Sequence, residues 1–318
     1  MSWSAVLEEL TEAHEVVRVL LIEDNPGDAR LVEEMLKDAT GAAVLATVDR
    51  LEAAIEPVSR GLADLVLLDL SLPDSSGVDG VRRLRAAAPE VPVVVLSGSS
   101  DGQIALEAVQ AGAQDFLNKD QVDAKRLTQA MRYAVERQRA ERRLMRLALN
   151  DPLTGLPNRV LFADRLEQAL ARAARTGTRA RKTPKLIVMF LDLDGFKPVN
   201  DTLGHLAGDA VLVEVARRLL EEMRGVDTVA RLGGDEFTVL CEGVANVEAG
   251  VAMAQRLSER LAQPYAVEGT TATLSAAIGL AVAAPLTEDA GSLLRRADAA
   301  MYAAKREGPG RVALSENP

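Results

Sequence analysis

Residues 231–237 read Arg-Leu-Gly-Gly-Asp-Glu-Phe, and few stretches leave a backbone so little choice. Asp227 to Ala230 reads as a short strand before it, and Phe237 to Cys241 is apolar and β-prone after it. Two strands joined by a tight Gly-Gly turn make a β-hairpin. Glycine can take φ > 0 there, and without a Cβ it lets a ligand come close to the backbone. Asp235 and Glu236 stand at the tip, although acids are poor strand formers. Paired carboxylates in that place suit a bound cation better than they suit the sheet. On their own they also fit an ordinary hairpin with solubilising acidic side chains.

The N-terminal half carries a different pattern. Val19–Ile22, Leu65–Leu68 and Val93–Leu96 are continuous apolar runs, as in strands buried on both faces. Helical segments such as Asp28–Lys37 and Asp101–Ala111 lie between them. This alternation predicts a doubly wound parallel sheet whose ligands bind beyond the carboxyl ends of the strands. Polar residues fall at those ends: Glu23 and Asp24, Asp69, Ser97, and Lys119 after Asp115-Phe116-Leu117-Asn118. Three carboxylates with one lysine suit a hard divalent cation that engages a phosphate. Each residue alone could be a helix cap or a turn former.

That arrangement resembles the receiver domains of response regulators. The resemblance implies a five-stranded receiver, with Asp69 as phosphoacceptor and Glu23, Asp24 and Asp69 holding Mg²⁺. It makes Ser97 the switch hydroxyl, Phe116 the switch aromatic and Lys119 the phosphate partner. A sensor histidine kinase is then the implied donor. The family usually has proline after the lysine; here it is Asp120, which changes the loop and adds a negative charge.

Gln121–Asn150 has neither Gly nor Pro and predicts one long helix. Met131, Val135, Gln138, Arg142, Met145 and Leu149 recur at alternating four and three, a heptad seam with a polar centre. A solvated single linker helix is the alternative. Asp151-Pro152-Leu153-Thr154-Gly155-Leu156-Pro157-Asn158-Arg159 then breaks the helix. An apolar strand, Leu186–Leu193, ends in Asp192-Leu193-Asp194, and alternation puts the two aspartates on one face. Two-metal nucleotidyl chemistry needs such paired oxygen ligands facing a second carboxylate source.

With the hairpin, these stretches are similar to the GGDEF family, the diguanylate cyclases, whose signature residues 233–237 reproduce. The resemblance implies a C-terminal α/β cyclase domain that condenses two GTP into cyclic di-GMP and two pyrophosphates. It implies Asp192, the backbone of Leu193, Asp235 and Glu236 as ligands of Mg²⁺ or Mn²⁺, and Asp235, Glu236 and Lys197 as catalytic residues. Substrate contacts would come from Phe196, Lys197, Asn200, Asp209, Gly233, Gly234, Lys305 and Arg311, with Asn200 and Asp209 reading guanine. A carboxylate can accept from both N1–H and the 2-amino group of guanine. Asp209 also fits as the N-cap of the amphipathic helix that follows it. Pro309 stands where the family usually has an arginine, and Arg311 is near enough to replace it. Arg224-Gly225-Val226-Asp227 has the spacing of the family's inhibitory product site, and is otherwise a salt bridge at a helix end. Each domain would hold one GTP, so the product requires a homodimer. A catalytically idle module that binds cyclic di-GMP is the alternative.

The expected plan is an extension at 1–16, a receiver at 17–137, a helical coiled-coil linker at 138–150 and a cyclase domain at 151–318. Trp3, Val6, Leu7 and Leu10 could form one helical face in the extension. A net charge of −10 and 3% aromatic content argue against a nucleic-acid surface. No apolar run nears the roughly 20 residues of a membrane span. The N-terminus lacks a basic-then-apolar export pattern, and the single cysteine, Cys241, fits a reducing compartment. The expected setting is cytoplasmic, with neither nucleic acid nor membrane as partner.

Overall fold

A computed structural model describes residues 16–37, 43–98, 102–177, 185–267, 270–284 and 288–315. The extension read at 1–16 lies, but for Val16, outside the described residues. The chain divides into two compact units, Met1–Leu144 and Met145–Pro318.

In the first unit, strands β1 (Val17–Ile22), β2 (Ala43–Val48), β3 (Leu65–Asp69), β6 (Val93–Ser97) and β7 (Asp115–Asn118) form a parallel sheet in the order β2-β1-β3-β6-β7. A short β4–β5 hairpin (Ser71–Leu72, Ser75–Ser76) follows β3. The continuous apolar runs are explained by burial on both faces. Leu20, Ile22, Val66, Leu68, Val93 and Val95 pack with α2 (Leu51–Ser59) and α3 (Asp79–Ala87). Val19, Leu21, Leu65, Leu67, Val94 and Leu96 pack with α1 (Pro26–Lys37) and α5 (Ala124–Leu149). Helix α4 (Gly102–Gln110) precedes β7. Each such side chain contributes about 1.5–3 kcal/mol of burial.

Helix α5 runs unbroken, as its lack of Gly and Pro predicts, but its seam is used differently from the heptad reading. Met131 and Val135 are receiver core. Gln138 is buried and accepts from the Gln114 amide at 3.0 Å. Arg142 donates to the Glu90 carbonyl. Two of the four apolar seam positions are thus spent on the receiver itself. The exposed apolar residues near the helix end are Leu144, Met145 and Leu147.

The second unit holds a five-stranded sheet in the order β14-β13-β8-β10-β9. These are β8 (Lys185–Asp194), β9 (Thr228–Gly233), β10 (Glu236–Val244), β13 (Ser275–Val282) and β14 (Val312–Leu314). All neighbours are antiparallel except β13 and β14. The β-prone stretch from Thr270 to Val282 holds two strands. Thr270–Ala272 (β12) pairs with β11 (Tyr265–Val267), and β13 starts at Ser275. Ile187, Met189, Leu191 and Leu193 face α8 (His205–Glu222) and α9 (Val247–Leu261), with α7 (Phe196–Leu203) at the margin. Leu186, Val188 and Phe190 face α6 (Arg159–Gly177) and α10 (Ala290–Glu307). Helix α10 sits close on β13 through Gly279, where a Cβ would lie 2.0 Å from the Met301 nitrogen. Glycine inside a strand marks such close backbone approach. Among the described residues no helix is long and apolar enough to cross a membrane.

Candidate functional site

The first site lies at the carboxyl ends of the parallel strands. Glu23 and Asp24 follow β1, Asp69 closes β3, Ser97 closes β6 and Lys119 follows β7. Carboxylate oxygens of Glu23, Asp24 and Asp69 lie within 4.8 Å of one another, a donor set suited to a hard divalent cation. The Lys119 ammonium contacts Glu23 at 2.7 Å, Asp28 at 2.8 Å and Asp69 at 3.3 Å. Burial pushes the Glu23 carboxyl above its ordinary range, though Lys119 opposes this. Burial alone would lower Lys119, but Asp28, Glu23 and Asp69 hold it well above the usual lysine value. Asp28 escaped the sequence reading because it looks like a first-turn helix acid; its signal was its place one turn beyond Glu23-Asp24. Ser97 is buried and Phe116 half-buried. At the Asp120 departure, the Asp120 amide donates to Asn118 Oδ1 at 2.8 Å, a bond proline could not make. The Lys119 amide still donates to the Ser97 carbonyl at 2.9 Å.

The second site lies where β8, the β9–β10 hairpin, β13 and the start of β14 end together. Glu236 pairs directly with Asp192, and Ser275 with Asp194; directly opposed residues share a face of the sheet. The Leu193 amide donates to the Asp235 carbonyl at 3.4 Å. Leu193 buries its side chain in the core, so its backbone is what it can offer a ligand. Gly233 and Gly234 have φ of 147° and 54°, as the tight turn requires.

Lys305, in the last turn of α10, reaches Asp192 Oδ1 at 2.5 Å. Burial raises the Asp192 carboxyl; Lys305 opposes this and the Asp235 charge adds to it. Burial likewise raises Glu236, with Arg159 opposing and Asp192 adding. Arg159 stands 4.0 Å from Glu236. The sequence reading quoted Arg159 in the turn motif but gave it no role. Lys197 and Arg311 are exposed.

Two further contacts set the hairpin. Arg231 donates from Nε and Nη2 to the Gly234 carbonyl at 3.0 and 2.7 Å. Its Nη1 meets Asp151 Oδ1 at 2.9 Å. Asp151 also accepts from the Thr154 amide and hydroxyl. Asn158 caps α6 through the Val160 and Leu161 amides and donates to the Ala148 carbonyl. The 151–159 motif is therefore a knot joining the last turn of α5, the start of α6 and the hairpin.

Asn200 and Asp209 come from consecutive helices, α7 and α8. A Cβ on Gly208 would fall 1.9 Å from Asn200 Oδ1, so Gly208 makes room for that amide. Phe196 is 9% exposed and packs in the core. Asp209 is exposed and lies inside α8, whose N-cap is Gly204; the N-cap reading of Asp209 is therefore corrected. Arg224 and Asp227 are together, Nε to Oδ2 at 3.3 Å. The Asp227 carboxylate is fully buried and also accepts from the Arg224 and Glu242 amides, leaving Arg224 as the exposed member.

Comparison with known proteins places both sites in families. Residues 148–311, more than half of the chain, match the diguanylate cyclase GGDEF domain. Residues 19–132 match the response regulator receiver domain. A bifunctional diguanylate cyclase/cyclic di-GMP phosphodiesterase of Pseudomonas aeruginosa, MucR, is 46% identical over 170 residues, covering 54% of this chain and 24% of MucR. The diguanylate cyclase TpbB of the same species is 41% identical over 170 residues, covering 53% of this chain and 38% of TpbB. The chain thus spans well under half the length of these relatives. Among solved structures, the coiled coil and GGDEF domain of DgcB from Caulobacter crescentus, in complex with cyclic di-GMP, is 28% identical. It has a TM-score of 0.54 and covers 60% of this chain and 98% of DgcB's.

Proposed function

This chain belongs to the GGDEF-domain diguanylate cyclase family and carries a receiver domain, and from that premise we propose that it condenses two GTP into cyclic di-GMP, releasing two pyrophosphates, under control of phosphorylation at Asp69. The observation that carries the reading is the pairing of the Asp235–Glu236 hairpin with Asp192, a cation already seated on that aspartate. A site that holds Lys305 against a half-buried acid is built for positive charge. Asp192, Asp235, Glu236 and the Leu193 carbonyl would hold Mg²⁺ or Mn²⁺, an all-oxygen set that fits a hard cation. When bound, the metal would supply charge stabilisation at the attacked phosphate and activation of a 3′-hydroxyl.

The chain's own residues do the rest. Gly233 and Gly234 let the phosphates approach the backbone. Lys305, Lys197 and Arg311 would meet the triphosphate. Asn200 reads the guanine edge, and Asp209 accepts from N1–H and the 2-amino group. One domain holds one GTP, so the active form is a homodimer with two hairpins face to face. Product inhibition would be anchored by the exposed Arg224, with Asp227 fixing its orientation. In the receiver, Glu23, Asp24 and Asp69 would hold Mg²⁺, and a sensor histidine kinase would supply the phosphoryl group. Lys119 and Ser97 would meet it, and Phe116 would report it. Incubation with GTP and Mg²⁺, read by chromatography, tests the reading. Cyclic di-GMP from wild type and none from Asp235→Ala is expected. Cyclic di-GMP binding without turnover would make the chain a sensor module instead.

A further inference from the structure

Asp194 has the same motif position and sheet face as Asp192 but different company. Its Oδ2 accepts from the Ser275 hydroxyl at 2.9 Å and from the Gly310 amide at 2.9 Å. The partner of Asp192 is the end of a lysine side chain, 44% exposed, which can swing aside for a ligand. The partners of Asp194 are a strand hydroxyl and a backbone N–H, and the N–H moves only with the chain.

Those partners define a loop. Gly308 and Gly310 take φ of 129° and 68° around the exposed Pro309, backbone that other residues rarely adopt. The Gly310 carbonyl accepts from the Ser258 hydroxyl of α9 at 3.0 Å. The Arg311 carbonyl accepts from the Ile278 amide of β13 at 2.9 Å. Two consecutive residues at the edge of the site are thereby fixed at three main-chain atoms by β8, α9 and β13. The loop begins three residues after Lys305 and ends on Arg311, at the sheet end that carries Asp192. Its one cation follows directly on the fixed glycine.

We propose that Asp194 is a positioning residue: it holds the 308–311 loop so that Arg311 meets the triphosphate as a second cation beside Lys305, and it is not a metal ligand. This rests on the cyclase reading for the identity of the ligand, and on the hydrogen bonds alone for the clamp. It also explains how the chain manages with Pro309 where an arginine was expected. Arg311, two residues further along the same rigid loop, replaces the side chain expected at 309.

The test uses the full chain with Asp194→Ala, Asp194→Asn, Ser275→Ala and Arg311→Ala. Four quantities are read: KM for GTP, kcat, the Mg²⁺ midpoint at saturating GTP, and amide exchange at Gly310. Asp194→Ala should raise KM about ten- to hundred-fold, as misplacement of a binding group does. Its Mg²⁺ midpoint should be unchanged and its Gly310 amide should exchange faster. Asp194→Asn keeps an acceptor without the charge, and should stay within about threefold of wild type. Arg311→Ala should match Asp194→Ala, and the double variant should be no worse, as for two residues acting as one unit. Ser275→Ala should give a smaller rise and serves if Asp194→Ala does not fold. A shifted Mg²⁺ midpoint with lost kcat in Asp194→Asn would overturn the proposal in favour of metal ligation. A change in melting temperature with unchanged KM would reduce the clamp to fold closure. If wild type makes no cyclic di-GMP, the cyclase reading fails, and GTP affinity by calorimetry must show the same ranking for the clamp to stand. Equal affinities, or no GTP binding, overturn it.

Discussion

Replacing Arg231 by alanine should loosen the hairpin that carries Asp235 and Glu236. The guanidinium makes three charge-assisted contacts, two to the Gly234 carbonyl and one to Asp151. Its side chain is 10% exposed and that of Asp151 17%. Breaking such a shielded pair by removing one partner costs about 3–5 kcal/mol. Asp151 keeps the Thr154 amide and hydroxyl, and the freed Gly234 carbonyl can take water, so the low end applies, about 3 kcal/mol. For a unit of this size that is a fall of about 6–12 °C in melting temperature. The pH dependence has a definite sign. Burial alone would raise the Asp151 carboxyl, but Thr154 and Arg231 hold it below the ordinary carboxylate range. Its stabilisation is therefore complete above the unfolded value, about 3.9, and is lost as pH falls through the lower folded value. Thermal melts of wild type and Arg231→Ala from pH 7 to pH 3 should show a gap that is constant down to about pH 4 and narrows below it. Lysine at 231 should restore less than half of the gap, because it lacks the fork that spans two acceptors. A gap under about 2 °C at pH 7, or one that does not narrow in acid, would refute this account of the hairpin.

Four further outcomes are expected. Asp209→Ser should admit ATP and yield some adenine-containing product from mixed nucleotides, with melting temperature unchanged because Asp209 caps nothing; cyclic di-GMP alone at full rate would remove it from guanine recognition. Arg224→Ala should relieve product inhibition at unchanged initial rate. Asp227→Ala should relieve it too but lower the melting temperature, since the Arg224 and Glu242 amides lose a buried acceptor at a cost of about 1–3 kcal/mol. Beryllofluoride should raise the cyclase rate of wild type at low protein concentration and leave Asp69→Asn unchanged; equal rates across concentrations would show that the receiver does not gate the enzyme by phosphorylation.

Periodicity made most of the architecture legible. Runs such as Val19–Ile22 and Val93–Leu96 have no polar face, and only a strand between two helical layers accommodates that. The Gly-Gly turn announced the hairpin because no other residue pair tolerates both of its backbone angles so cheaply. The linker seam is ambiguous for a physical reason. A heptad pattern states that one helix face is apolar, not what covers it, and Met131 and Val135 are covered by their own domain. A similar ambiguity holds between β12 and β13, where a short break between β-prone runs leaves hydropathy almost unchanged.

What sequence could not disclose is pairing between distant polar groups, and the second site depends on it. Asp192 and Asp194 are chemically identical, two residues apart on one strand face. One faces a lysine 113 positions along the chain, the other a backbone amide 116 positions along. The difference arises from where α10 stops. Gly279 admits the helix against β13, which brings Lys305 over Asp192; Gly308 then ends the helix and turns the chain so that Gly310 arrives at Asp194. A side chain at 279 would lift the helix away and separate Lys305 from its carboxylate. A side chain at 310 would strain the loop at its positive φ. Glycines far from the hairpin in sequence thereby decide which aspartate meets a lysine and which a backbone amide.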